Sequence, residues 1–139
     1  MTKRQQMDEN VVNSYNGPMK FIIDLIEDIQ TVLNDERGFA LTALALKEEE
    51  PEQFAPTWHS PIVHMNIDDE AKTLYLFLGQ ERPLQTGSFL KELNGFSNEQ
   101  MMYELKVSYT QDESRIDKEV IGFGESLEEK RYFLFIDAT

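Results

Sequence analysis

The chain has 139 residues and a formal net charge of −13, because 26 aspartates and glutamates outnumber 13 lysines and arginines. Its length and its 40% hydrophobic content are typical of one globular domain and not of a disordered chain. The negative charge disfavours direct binding to nucleic acids and to anionic membranes. The absence of cysteine excludes a disulfide framework, a thiolate nucleophile and a cysteine-ligated metal.

The N-terminus has two basic residues but no apolar core after them, so it does not have the pattern of a signal peptide. No apolar run approaches the roughly 18 residues that a membrane-spanning helix needs. We therefore expect a cytoplasmic protein with a single domain over residues 1–139, in which residues 1–16 form a frayed polar segment. The acidity either serves solubility alone or selects a basic protein as partner.

Asn16-Gly17-Pro18 predicts the start of a long helix over about 18–34, because proline is well tolerated in the first helical turn. Apolar residues then recur at helical spacing and would form one stripe: Ile22, Leu25, Ile26, Ile29, Val32 and Leu33. The opposite face would be acidic. It is either an ordinary solvated face or a ridge that contacts a partner, with Asp24, Glu27, Asp28 and Asp35 as the contact residues.

Phe39–Leu46 has the length of a strand, which favours a strand, although its alanines and leucines also suit a helix. Lys47–Ser60 contains Pro51 and Pro56 and is predicted to be a loop. Its aromatic residues would either fold back onto the core or anchor a partner, since tryptophan is favoured at interfaces. The predicted contact residues of this loop are Glu48, Glu49, Glu50, Phe54 and Trp58.

Pro61–Gly79 predicts an antiparallel hairpin, because two strand-like runs flank a polar, charged connector. Its second arm, Leu74–Leu78, is apolar on both faces, which places it inside a sheet. A short helix is predicted near 88–94, and further strands follow it at Tyr103–Thr110, Glu119–Phe123 and Arg131–Ile136. Together these elements predict an α+β domain with a five- to six-stranded, mainly antiparallel sheet. The long N-terminal helix would cover one face of that sheet.

Motifs for catalysis and metal binding are missing from the pattern. Neither His59 nor His64 lies in a recognisable nucleophile, metal-ligand or acid–base motif. The Asp68-Asp69-Glu70 turn has oxygen ligands of the type that calcium prefers, but turns favour aspartate for backbone reasons alone. We therefore expect no enzymatic activity, no cofactor and no metal.

The leading hypothesis is a non-enzymatic acidic domain that occupies a basic surface of a partner protein, as an inhibitor, immunity protein or nucleic-acid mimic does. The order of elements and the acidity also resemble those of small export chaperones of bacterial secretion systems. This resemblance implies a homodimer that holds an extended peptide along a sheet edge. A third hypothesis is a small-molecule sensor whose pocket is lined by Tyr75, Phe77, Tyr103 and Tyr109.

Overall fold

The structure is a computed structural model that describes residues 19–33, 38–51 and 53–138. The predicted frayed segment 1–16, the predicted helix start at 16–18 and Asp35 lie outside the described residues. The helices are α1 (Ile22–Leu33), α2 (Thr86–Leu93) and a 3₁₀ helix (Gln100–Met102). The strands are β1 (Ala40–Glu50), β2 (Gln53–Asp68), β3 (Thr73–Leu78), β4 (Glu104–Gln111), β5 (Ser114–Glu119), β6 (Gly122–Ser126) and β7 (Arg131–Asp137).

The seven strands form one mixed sheet in the order β5-β4-β3-β2-β1-β7-β6. Two neighbouring pairs, β1–β7 and β3–β4, are parallel, and the other pairs are antiparallel. The prediction of a five- to six-stranded, mainly antiparallel sheet is therefore wrong. Its error has a physical cause: parallel pairs join segments that are distant in sequence, and the pattern of neighbouring segments carries no signal for them.

The prediction of a long N-terminal helix over about 18–34 that covers one face of the sheet is also wrong. Helix α1 has only twelve residues. Met19 and Phe21, which precede it, form isolated bridges with Val120 and Glu104. Extended backbone thus takes the place of the first predicted turn. Within the described part of the chain, no helix is long and apolar enough to cross a membrane.

Strand β2 belongs to two ladders. Its first part, Gln53–Pro61, pairs with β1, and its second part, Ile62–Asp68, pairs with β3 on the other side. A register shift between Ile62 and His64 marks the change, as expected where a strand bends at a bulge. At the far end, only two residues separate β5 from β6, although these are the two edge strands. The sheet must therefore curl strongly for one edge to lead into the other.

The main core combines α1, α2 and one face of the sheet, with Leu41, Ile62 and Leu76 among its fully buried residues. Alternate residues of a strand face opposite sides, so β1 and β7 also supply a second cluster on the other face. That cluster consists of Leu44, Leu46, Phe133 and Phe135, with Phe54 and Ile121 packed against it.

The hairpin predicted at Pro61–Gly79 is confirmed, since β2 and β3 pair antiparallel from Ile62↔Leu78 to Asp68↔Thr73. The strand interpretation of Phe39–Leu46 is confirmed as well. The loop predicted over Lys47–Ser60 is wrong, because almost all of this stretch lies in β1 and β2. Pro51 lies in the turn between the two strands, and Pro56 does not break β2 because an edge position does not need the missing N–H group.

Candidate functional site

Strands β1 and β2 extend past the rest of the sheet as a two-stranded ribbon, residues 47–50 and 53–55. At the base of the ribbon, residues 56–59 of β2 pair with Leu44–Leu46 of β1 and have an open edge on the other side. The pairing of β7 with β1 ends at Leu46↔Asp137, and the pairing of β3 with β2 ends at Ile62↔Leu78. Within the described ranges, the ribbon has no neighbouring strand on either side. An isolated two-stranded ribbon is marginally stable, so this one depends on the sheet at its base. It presents both of its strands to the surroundings.

The ribbon carries the predicted acidic contact residues. Glu48, Glu49 and Glu50 are all exposed, as is the preceding Lys47. A register shift lies between Glu48 and Glu50, where the strand pairing is irregular. The structure thus places these three consecutive glutamates at the end of a projecting element.

Trp58 lies on β2 at the base of the ribbon, opposite Ala45 of β1, and is 37% exposed. Its ring meets that of Tyr109 of β4 edge to face, with centroids 5.4 Å apart and planes at 77°. Such aromatic pairs are worth about 0.5–1.5 kcal/mol beyond their buried area. The indole is therefore held in place while a good part of its surface remains accessible, which sequence reasoning could not foresee because Tyr109 lies far along the chain.

Phe54, predicted as a second aromatic contact, lies in a different environment. Its half-buried ring packs against the second cluster. Its strand partner is Glu48, whereas that of Trp58 is Ala45 of the main core. Phe54 and Trp58 therefore face opposite sides of β2. Phe54 holds the projecting part of the ribbon against the second cluster, and Trp58 is the aromatic residue that remains accessible.

The acidic residues of α1 do not form one exposed ridge. Asp24 Oδ2 accepts a hydrogen bond from the backbone N–H of Phe21 at 3.1 Å, as in the capping of a helix start. Asp28 is half-buried and accepts a hydrogen bond from the hydroxyl of Tyr132. Glu27 is exposed. Two of the three described residues thus serve contacts within the molecule.

Asp28 belongs to an internal acidic cluster with Tyr132 and Glu125. Burial raises the pKa of Asp28 above its ordinary value of 3.8, and the hydrogen bond from Tyr132 opposes this rise. Glu125 lies opposite Tyr132 in the β6–β7 register, and burial together with the charge of Asp28 raises its pKa. Burial and these two carboxylates raise the pKa of the Tyr132 hydroxyl well above 10.0. The cluster links α1 to β6 and β7.

The four aromatic residues considered for a sensor pocket do not converge. The guanidinium of Arg115 stacks over the rings of Tyr75 and Phe77 at 4.5 and 5.3 Å. Tyr103 is buried elsewhere, and its hydroxyl donates to Asp69 at 2.8 Å. Tyr109 contacts Trp58 as described above. The structure therefore divides these side chains among three environments.

Two carboxylates of the Asp68-Asp69-Glu70 turn, those of Asp68 and Asp69, accept hydrogen bonds. Asp68 accepts from the backbone N–H groups of Glu70 and Ala71, both at 3.0 Å. Asp69 accepts from Gln100 at 3.1 Å and from Tyr103. Across the residues that the structure describes, no group of three or more histidine, cysteine, aspartate or glutamate residues could hold a metal ion.

Comparisons of the chain with protein-family models, with curated proteins and with solved structures found no match. Its function therefore has to be inferred from the ribbon and from the surfaces beside it.

Proposed function

We propose that this chain is a non-enzymatic, acidic protein-binding domain that occupies a basic surface of a partner protein. The observation that carries the proposal is the ribbon, which projects past the sheet and presents Glu48, Glu49 and Glu50, with the accessible Trp58 at its base. Chemistry of this kind suits an inhibitor, an immunity protein or a mimic of nucleic acid, and the proposal places it in the cytoplasm.

The glutamates would act mainly at long range. A negatively charged projection on a chain of net charge −13 attracts cationic surfaces and raises the rate of association. Salt weakens this attraction, since charges are screened over about 8 Å at physiological ionic strength. The proposed complex should therefore associate more slowly as salt is added.

Trp58 would supply short-range affinity. Tryptophan is strongly enriched among the residues that dominate interface energies. Because Tyr109 already holds the Trp58 ring, little side-chain freedom is lost when a partner covers it. The ribbon and the residue at its base thus combine electrostatic attraction with a pre-organised aromatic anchor.

A pair of charge-matched variants tests the proposal. In the first, Glu48, Glu49 and Glu50 are all replaced by lysine. In the control, the exposed residues Glu70, Glu92 and Glu99 are replaced by lysine, which changes the net charge by the same amount at other places. Each protein is immobilised and exposed to a lysate of the cells that produce it, over a series of salt concentrations.

We expect the wild type and the control to retain the same basic protein, and the ribbon variant to lose it. Raising the salt concentration should release that protein from the wild type. Equal capture by both triple variants would show that only overall charge matters. Capture of acidic or uncharged proteins alone would contradict the proposal as well.

A further inference from the structure

Strand β3 ends at Leu78, whereas both of its neighbours continue past that point. On one side β2 runs on from Pro61 to Gln53, and on the other side β4 runs on through Tyr109–Gln111. The backbone N–H of Gly79 still donates to the carbonyl of Pro61 at 3.3 Å, and the chain then bends away. This leaves a vacant strand position between β2 and β4, about 10 Å wide at two strand spacings.

Strands β2 and β4 are the two walls of the vacant strand position, and backbone groups of both point into it. The carbonyl of Pro61 faces away from β1 because it accepts from Gly79, so His59, two residues earlier, faces the same way. The N–H of Glu104 donates to Lys72 just before β3, so every second residue of β4 up to Thr110 faces the β3 side. In the described parts of the chain, the β2–β3 register ends at Ile62↔Leu78 and the β3–β4 register at Phe77↔Ser108, so neither His59 nor Thr110 has a strand partner on these sides.

The vacant strand position also has a floor of aromatic side chains. Trp58 from β2 and Tyr109 from β4 reach across it and meet edge to face. Side chains of a strand alternate between the two faces of a sheet, so every second residue of an inserted segment would lie on these rings. Aromatic faces attract lysine and arginine side chains by about 0.5–2 kcal/mol.

Acidic residues lie at the two ends of the vacant strand position, whereas the nearby Arg115, opposite Thr110 on β5, is already paired with Asp117 at 3.0 Å. The Glu81 carboxylate folds back over Gly79 at its start, where a Cβ atom would collide with it. Asp112 and Glu113 form the exposed turn that follows Gln111 at its other end. Charge complementarity thus selects a cationic segment.

We infer that the vacant strand position binds an extended, lysine- or arginine-containing segment of the partner protein, antiparallel to β2 and parallel to β4. The inference rests on the proposed function, since the segment belongs to the partner whose basic surface the ribbon contacts. The segment is short, because Pro56 lacks an N–H group and the carbonyl of Pro61 is already bonded to Gly79. Its backbone pairs with His59 on one side and with Thr110 on the other.

The probe is an acetylated and amidated hexapeptide of alternating lysine and valine. NMR follows its binding through the backbone amide signals of His59 and Thr110 and through their hydrogen exchange. We expect both amides to shift and to exchange more slowly. A peptide with glutamate in place of lysine should bind at least about tenfold more weakly, because like charges repel.

Two N-methylated peptides test whether both walls are used. One is methylated at every lysine and the other at every valine, so each loses the N–H groups along one of its edges. Insertion between two strands requires both edges, and both peptides should bind about tenfold more weakly. Full binding by either of them would show pairing with one wall only and would overturn the inference.

Thr110→Pro removes the N–H group that faces the vacant strand position and leaves the β4–β5 ladder intact, whereas Thr110→Val keeps that group. We expect the proline variant to bind the peptide about tenfold more weakly and the valine variant to bind it as wild type does. His59→Pro and His59→Val form a second matched pair on the other wall. Circular dichroism checks that each variant is folded.

The outcomes separate this inference from the proposed function. If the peptide shifts only the signals of Glu48–Glu50, or if both proline variants bind it normally, the vacant strand position is not its site, and the ribbon proposal still stands. If the peptide inserts but the two lysine triple variants capture the same proteins, the ribbon proposal fails instead. If the His59 amide exchanges more slowly at higher protein concentration without any peptide, a second copy of the chain occupies the position. That result would overturn the assignment to a basic partner.

Discussion

The acidic residues of α1 and those of the ribbon have the same charge but different surroundings. Asp24 and Asp28 on the helix accept hydrogen bonds from Phe21 and Tyr132 and serve the fold. Glu48–Glu50 on the ribbon are exposed on an element that projects past the sheet. The sequence therefore shows the sign of a charge, but only the fold shows its environment. A carboxylate that is partly buried costs stability, whereas an exposed one keeps most of its hydration.

The largest expected difference is in packing. It separates Tyr132, which contacts Asp28 of α1, from Trp58 at the base of the ribbon. Tyr132→Ala should lower the free energy of unfolding by about 3–5 kcal/mol, because the ring is fully buried among core residues. Trp58→Ala should lower it by only about 1 kcal/mol, because a good part of that ring is exposed and the Tyr109 contact is the main loss. Urea unfolding measures both. Similar losses for the two variants would mean that Trp58 is a core residue, and its role as an accessible anchor would be lost.

The hydroxyl of Tyr132 provides a smaller and more specific test. Tyr132→Phe keeps the ring but leaves the half-buried Asp28 carboxylate without its donor, at a cost of about 1–3 kcal/mol. The same change in an Asp28→Ala background should cost much less, because no carboxylate then needs the hydroxyl. A double-mutant cycle by urea unfolding measures the coupling. Additive losses would show that Asp28 does not depend on this hydrogen bond.

Elements with a strong local pattern could be predicted from the sequence. The apolar stripe from Ile22 to Ile29 identified the body of α1, and the two strand-like runs of Pro61–Gly79 identified the β2–β3 hairpin. The parallel pairing of β1 with β7 could not be predicted, since it depends on a contact between distant segments. The ribbon was mistaken for a loop because Pro56 usually interrupts strands, and its position on an open edge is visible only in the fold.

The candidate site could also be predicted only in part, because composition indicates charged and aromatic residues but not where the fold places them. The composition predicted Glu48–Glu50 and Trp58 as contact residues, and the structure places the glutamates on the ribbon and Trp58 at its base. Nothing in the sequence indicated that Asp28 faces Tyr132, because helical spacing places Asp28 opposite the apolar stripe. A position outside the apolar stripe can still meet another element of the fold, and spacing along one helix cannot reveal that.

The buried environment of Asp28 should also be visible in the pH dependence of stability. Burial raises the pKa of Asp28, and the folded state therefore holds its proton to a higher pH than the unfolded state does. Stability should fall as the pH rises from the ordinary value of 3.8 through the raised pKa. Asp28→Asn should remove this fall and be at least as stable as wild type at pH 7. Urea unfolding over a pH series measures both effects.

Glu125 gives an independent check on the same cluster. The charge of Asp28 contributes to its raised pKa, so Asp28→Asn should lower the pKa of Glu125 towards its ordinary value of 4.5. A carbon-13 NMR titration of the side-chain carboxyl measures this shift. An unchanged Glu125 titration would show that the two carboxylates do not interact, and the internal cluster would reduce to the Asp28–Tyr132 pair.

The smallest expected effect comes from Asp69, whose environment is the opposite of that of Asp28. Hydrogen bonds from Gln100 and Tyr103 lower the pKa of this exposed carboxyl below 3.8. The folded state therefore releases the proton more readily than the unfolded state, and the stability gained above the ordinary pKa is lost as the pH falls through the lowered one. Asp69→Asn should reduce the stability that is lost as the pH falls, whereas Asp28→Asn should reduce the stability that is lost as the pH rises. If both variants altered the pH profile in the same direction, partial burial could not be the main influence on Asp28.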